Sequence, residues 1–111
     1  MSRLVIAALL ALGLGEVVNP NKAPPDPRDY GADKIDVSAY PDDQQQRYPL
    51  FMQKCSKCHP AARAINSRFS TGEWKRYMKR MIRRPNSGIN EEQAVEIYAF
   101  LKFYAEKQGG Q

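Results

Sequence analysis

The stretch from Ser70 to Lys107, STGEWKRYMKRMIRRPNSGINEEQAVEIYAFLKFYAEK, decides the fold class. Ser70 with Glu73 three places on is a capping box, the reciprocal pairing that opens a helix. Behind it Trp74, Tyr77, Met78 and Met81 recur at helical spacing, and the run stops before Pro85 and Gly88. Asn90 and Gln93 repeat the capping pattern. The stripe that follows, Ala94, Ile97, Tyr98, Leu101 and Tyr104, ends before Gly109 and Gly110. Upstream, Pro49 suits a first helical turn, so another helix is expected to begin near it and run through Leu50, Phe51 and Met52 into the cysteines. No segment alternates cleanly enough to be a strand. The sequence predicts an all-α fold, a small bundle of three main helices preceded by an extended N-terminal arm.

The 111 residues amount to about one domain, with 42% hydrophobic and 26% charged residues. That balance excludes a wholly disordered chain and a polytopic membrane protein. No run reaches the roughly 20 apolar residues that span a bilayer. Two cysteines allow one bridge at most, so a multi-disulfide scaffold is excluded. A single histidine excludes a zinc site built on several histidines of one chain.

The N-terminus reads Met1-Ser2-Arg3 and then an apolar run from Leu4 to Leu14, the layout of a secretory signal peptide. Gly13 and Gly15 supply small residues before a cut preceding Glu16. Residues 1–15 are therefore expected to be a signal peptide or, if retained, a membrane anchor. Between Val17 and Asp43 stand Pro20, Pro24, Pro25, Pro27 and Pro41, five of the eight prolines, together with six of the twelve acidic residues. Proline fixes φ and removes donors, so residues 16–45 read as a linker or a strap lying on the domain. Ile35, Val37 and Tyr40 are candidates to pin it there. The folded domain is expected over residues 46–108.

Cys55-Ser56-Lys57-Cys58-His59 is the attachment sequence for c-type haem. Two thiols add across the two vinyl groups of one porphyrin, and the next residue offers its imidazole to the iron. A thioredoxin-like dithiol calls for a βαβ setting that is not evident. A structural zinc site calls for a second ligand pair that the chain lacks, and a plain disulfide leaves the histidine unexplained. Export points the same way, because such haem is attached outside the cytoplasm. From Pro49 to Lys107 there are only about 59 residues, marginal for a core without a cofactor. Phe51, Leu50, Ile65, Phe69, Trp74, Ile82, Ile97, Phe100 and Leu101 are the expected wall and core residues. Because the chain has one histidine, two histidines of this chain cannot hold the iron; a second protein ligand is sought among the methionines, or the sixth position has none. Met1 leaves with a cleaved signal peptide and Met52 lies too near Cys55 on one helix, which leaves Met78 and Met81.

The segment Leu50-Phe51-Met52-Gln53-Lys54-Cys55-Ser56-Lys57-Cys58-His59 resembles the N-terminal helix of class I cytochromes c. Ile97 to Lys102 is similar to that family's C-terminal helix. The spacing from Trp74 to Met81, followed by Gly88-Ile89, resembles short monohaem domains that accompany periplasmic oxidoreductases. The resemblance covers roughly residues 47–107. It implies that Phe51 packs against the C-terminal helix and that one covalent haem is held by Cys55 and Cys58. It further implies that His59 is the proximal iron ligand and Met81 the distal one, with Met78 as the alternative. Arg47 and Pro60 depart from the family pattern, and the partner of the second imidazole nitrogen is not specified.

Between Lys54 and Arg84 lie ten cations, against Glu73 as the one acid. A positive rim beside a redox site would steer acidic partners; export argues against nucleic acid. The expected function is electron transfer by a periplasmic or exported monohaem cytochrome, soluble or anchored at its N-terminus. Its expected partners are redox proteins with acidic docking surfaces, including a larger membrane-bound electron-transfer complex. The alternative is a haem-based sensor with a labile or open sixth iron position. No nucleophile–base pair is evident, so the chain is not expected to be an enzyme.

Overall fold

A computed structural model describes residues 23–109; the expected signal peptide and its cleavage site lie outside the described residues. The described chain is helical, with no strand. It opens with a 3-10 turn, Pro27–Tyr30, and continues with α1 (Asp42–Cys55), α2 (Ala62–Ile65), α3 (Thr71–Arg83) and α4 (Glu91–Lys107). No helix among the described residues is long and apolar enough to cross a membrane.

Two helix starts follow the local chemistry of the sequence. Ser70 accepts the Glu73 N–H at 3.2 Å while Glu73 Oε1 accepts the Ser70 N–H at 3.1 Å. At α4, Asn90 Oδ1 accepts from the Gln93 N–H at 2.8 Å, and Gln93 Oε1 accepts from the Asn90 N–H at 3.1 Å. Each box satisfies two of the donors that a helix start leaves without partners. The acidic residues Glu73, Glu91 and Glu92 lie where the helix dipole favours negative charge.

The first helix corrects the expected bounds. It begins at Asp42, with Asp42 and Asp43 in its first turn, and carries Pro49 in its interior. An interior proline deprives the Gln45 carbonyl of its helical donor and costs about 3 kcal/mol relative to alanine. Pro49 faces solvent, so its ring disturbs no packing, and burial on the other side of the helix offsets the cost. There Gln44, Phe51 and Cys55 are buried against the rest of the domain. The short α2 is a helix beyond the three main ones expected, and no side chain caps its start. Its alanines and Ile65 are buried, and the Tyr104 hydroxyl donates to the Ile65 carbonyl at 2.8 Å, tying it to α4.

α4 is the central element, packing against α1 on one side and α3 on the other. Its buried face is Ala94, Ile97, Phe100, Leu101, Tyr104 and Ala105. Phe51 of α1 is 0% exposed and its ring lies 5.1 Å from that of Phe100. Trp74 of α3 is buried between Phe69, at 4.8 Å, and Tyr77, at 5.5 Å and edge-on. Of the expected wall residues, Ile82 is the misfit at 36% exposed; it sits in the last turn of α3, at the edge of the α3–α4 groove. The arm lies along the domain. Ile35, Val37 and Tyr40 pack on the core, the Ile35 N–H donates to the Tyr48 hydroxyl at 2.9 Å, and Tyr40 meets Phe103 edge-on at 4.8 Å.

Candidate functional site

The cysteines sit where α1 ends. Cys55 is its last residue, one turn after Phe51, so the Phe51–Phe100 contact fixes the first thiol relative to α4. Ser56 closes the helix by donating its hydroxyl to the Met52 carbonyl at 2.6 Å. The chain then turns through Lys57 and Cys58 to His59 without regular structure.

Between this corner and α3 lies a cleft. It is lined by Cys55, Cys58 and His59 on one side and by Tyr77, Met78 and Met81 on the other. Arg84, Pro85, Ser87 and Ile89 close one end, and Ala23, Lys54 and Lys57 border it. Two thiols, one imidazole and two thioether sulfurs therefore face a single space. Met78 is 3% exposed and also lines the groove between α3 and α4, so it is held by packing on both sides. Met81 is half-buried at the cleft. Met52 does not reach this space.

The histidine has a defined tautomer. Its Nδ1 lies 2.9 Å from the Pro60 carbonyl oxygen. A carbonyl only accepts, so Nδ1 is the donor, and in the neutral ring Nε2 is then the nitrogen with the lone pair. That is the arrangement in which a ligating imidazole is oriented by its other nitrogen. The carbonyl comes from the residue directly after His59, a local partner that the sequence reading left open.

The thiols are free, Cys55 buried and Cys58 half-buried. Burial pushes the Cys55 thiol up to about 12, so it stays protonated at neutral pH. A thiol that works by exchange or as a nucleophile is instead held near or below neutrality in an electropositive, accessible setting. Among the described residues no group of three or more His, Cys, Asp or Glu side chains is placed to hold a metal ion.

The donor set fits a haem: paired thiols two residues apart, an adjacent imidazole with a free Nε2, and methionine sulfur across the cleft. The free space is about 60 Å³, the share of roughly two water molecules. A flat macrocycle is larger than that space as it stands. One polar contact spans the mouth, from Lys54 Nζ to the Gly88 carbonyl at 2.7 Å. Gly88 has φ +70°, a left-handed conformation that favours glycine at this turn.

The ten cations of the sequence do not form one patch. Lys54, Lys57 and Arg84 border the cleft. Lys75, Arg76, Lys79, Arg80 and Arg83 are exposed on α3, with the Arg80 guanidinium 5.6 Å from the Tyr77 ring centre. Arg63 faces inward and pairs with Asp29 at 2.8 Å. Nothing local in the sequence marks that pair, because its members are 34 positions apart.

Set against protein-family models, curated protein sequences and solved structures, the chain matches none.

Proposed function

We propose that the chain is an exported monohaem c-type cytochrome that passes single electrons between protein partners. The observation that carries this reading is the meeting of Cys55, Cys58, His59 and Met81 at one cleft, with the imidazole already oriented through Nδ1. When bound, the haem supplies the one-electron iron couple. Cys55 and Cys58 would hold it through thioether links, and His59 and Met81 are the side chains that would ligate its iron. Met78 is the packing residue behind Met81. Phe51 and Trp74 fix the two walls by their burial. With His59 and Met81 both committed to the group, the chain would leave no place for a substrate at the metal, which would suit outer-sphere transfer. Lys54, Lys57 and Arg84 place positive charge at the cleft's edge, where it speeds encounter with an acidic partner.

The deciding experiment is production of the full chain in a host that matures c-type haem, followed by mass measurement and visible spectra. One haem added covalently and a weak far-red band in the ferric form are expected, that band being the mark of methionine sulfur on iron. Met81→Ala should abolish the band, whereas Met78→Ala should retain it. Resistance of the reduced protein to carbon monoxide would accompany a filled sixth position, and rapid uptake would favour a ligand-sensing role instead. A colourless product with the mass of the polypeptide alone would overturn the proposal. An electron-transfer rate that ignores ionic strength would remove the charge-steered partner.

A further inference from the structure

Residues 23–32 form a strap that crosses the far side of the His59 corner, and three polar attachments fix it. At its start the Ala23 N–H donates to the Cys58 carbonyl at 3.0 Å. In its middle Arg63 grips Asp29 twice, Nε to Oδ1 at 2.9 Å and Nη2 to Oδ2 at 2.8 Å. The same Nη2 donates to the Pro24 carbonyl at 2.6 Å. At its end Asn66 Nδ2 donates to the carbonyls of Arg28, at 3.2 Å, and Ala32, at 2.9 Å. Gly31 lies directly on that amide, where a Cβ would come within 2.5 Å.

The ion pair is set into the surface, with side chains 14% exposed for Arg63 and 9% for Asp29. Paired bonds in a planar fork fix orientation as well as distance. The guanidinium also holds the Asp29 carboxyl below the usual carboxylate range, so the pair is ionised at neutral pH. Asp26 caps the same 3-10 turn and is itself paired with Arg28 at 2.9 Å.

These attachments converge on residues 58–66. That segment holds His59 and has no regular structure before α2. A short irregular loop keeps a side chain in one orientation only when its ends are fixed from outside. Ala23 fixes Cys58, one residue before His59, and Arg63 fixes the start of α2, four residues after it. The strap also walls the ring. Ala23, Pro25, Asp29 and Tyr30 line a recess on one side of His59, and Arg28 and Arg63 line another.

We propose that Arg63, through Asp29 and Pro24, is a positioning residue that clamps the strap over the loop bearing His59 and so sets the imidazole's orientation and its access to water. The part concerning a ligated imidazole rests on the function proposed above; the clamp itself does not.

The test compares full-length wild type, Asp29→Asn and Asp29→Glu by amide hydrogen exchange and by redox titration of the haem-bearing protein. In Asp29→Asn, amides of residues 58–66 should exchange at least tenfold faster while those of α4 stay unchanged. Wetter surroundings favour the more highly charged ferric state, so its oxidised-to-reduced ratio at a fixed poise should rise at least threefold. Asp29→Glu keeps the carboxylate and should recover at least half of both effects. Unchanged exchange overturns the clamp, as does acceleration spread evenly into α4. Faster local exchange with an unaltered redox ratio overturns the positioning of His59. If the wild type carries no haem, the function proposal fails on its spectrum. The exchange comparison on the polypeptide then decides the clamp alone.

Discussion

Phe51 couples the fold to the site, and its removal has a calculable effect. The ring is 0% exposed, with the Phe100 ring centre at 5.1 Å and that of Tyr48 at 6.2 Å. Replacing a buried phenylalanine by alanine costs about 3–5 kcal/mol, through lost transfer energy and the cavity left behind. Loss of the aromatic pairing, worth about 0.5–1.5 kcal/mol, places Phe51→Ala toward the upper part of that range. A small domain has about 5–15 kcal/mol in total, and one of this size lies toward the lower end. The variant therefore loses half or more of its stability. With a urea slope of about 1–1.5 kcal/mol/M, the unfolding midpoint should fall by about 3 M, followed by far-UV circular dichroism. Phe51→Leu, closer in volume, should lose about 1.5 kcal/mol or less. A shift below about 0.5 M in Phe51→Ala would refute the α1–α4 contact as the anchor of Cys55.

Gln44 is buried with its Oε1 lacking a partner, and its Nε2 makes only a long 3.4 Å contact to the Ala99 carbonyl. Gln44→Leu should raise stability by about 1 kcal/mol, read from the same urea transitions; a decrease would show that the amide is satisfied in solution. In polypeptide made without haem attachment, buried Cys55, with its thiol pushed up to about 12, should alkylate at least tenfold more slowly than half-buried Cys58. Peptide mass analysis reads the order, and equal rates would contradict it. Asp26 and Asp29 are held below their ordinary 3.8 by Arg28 and Arg63 respectively. A lowered carboxylate adds stability above its unfolded pKa and loses it as pH falls through the folded value. The strap's contribution should therefore be intact from pH 5 to 7, begin to decline below about pH 4, and be lost only as pH falls through the lowered folded values. Asp29→Asn should flatten that acid limb, and an unchanged slope would exclude the pair as its source.

The parts of the fold written in neighbouring residues were legible, and those written across long separations were not. Ser70 with Glu73, and Asn90 with Gln93, act within one turn, so the starts of α3 and α4 follow from sequence alone. Pro49 misleads because its local preference points to a helix start. The burial of Gln44 and Phe51 on α4, absent from any local rule, carries the helix through it. The short α2 has neither cap nor length and exists because Ala62, Ala64 and Ile65 are covered. At the site, the spacing of Cys55, Cys58 and His59 was visible. Their meeting with α3 depends on how both helices seat on α4. Arg63 read as one more surface cation because its partner lies in the arm. Arg68, with φ +59°, occupies a conformation that nothing in its side chain announces.

α1 and α3 are both bound to α4, like the covers of a book to its spine. The gap between covers is then set by how each helix seats on the spine. Among the described residues one polar tie crosses the opening, Lys54 to Gly88, and an exposed bond of this kind is worth about 1 kcal/mol or less. Lys54, the residue before Cys55, thus ties one cover to the turn that follows the other.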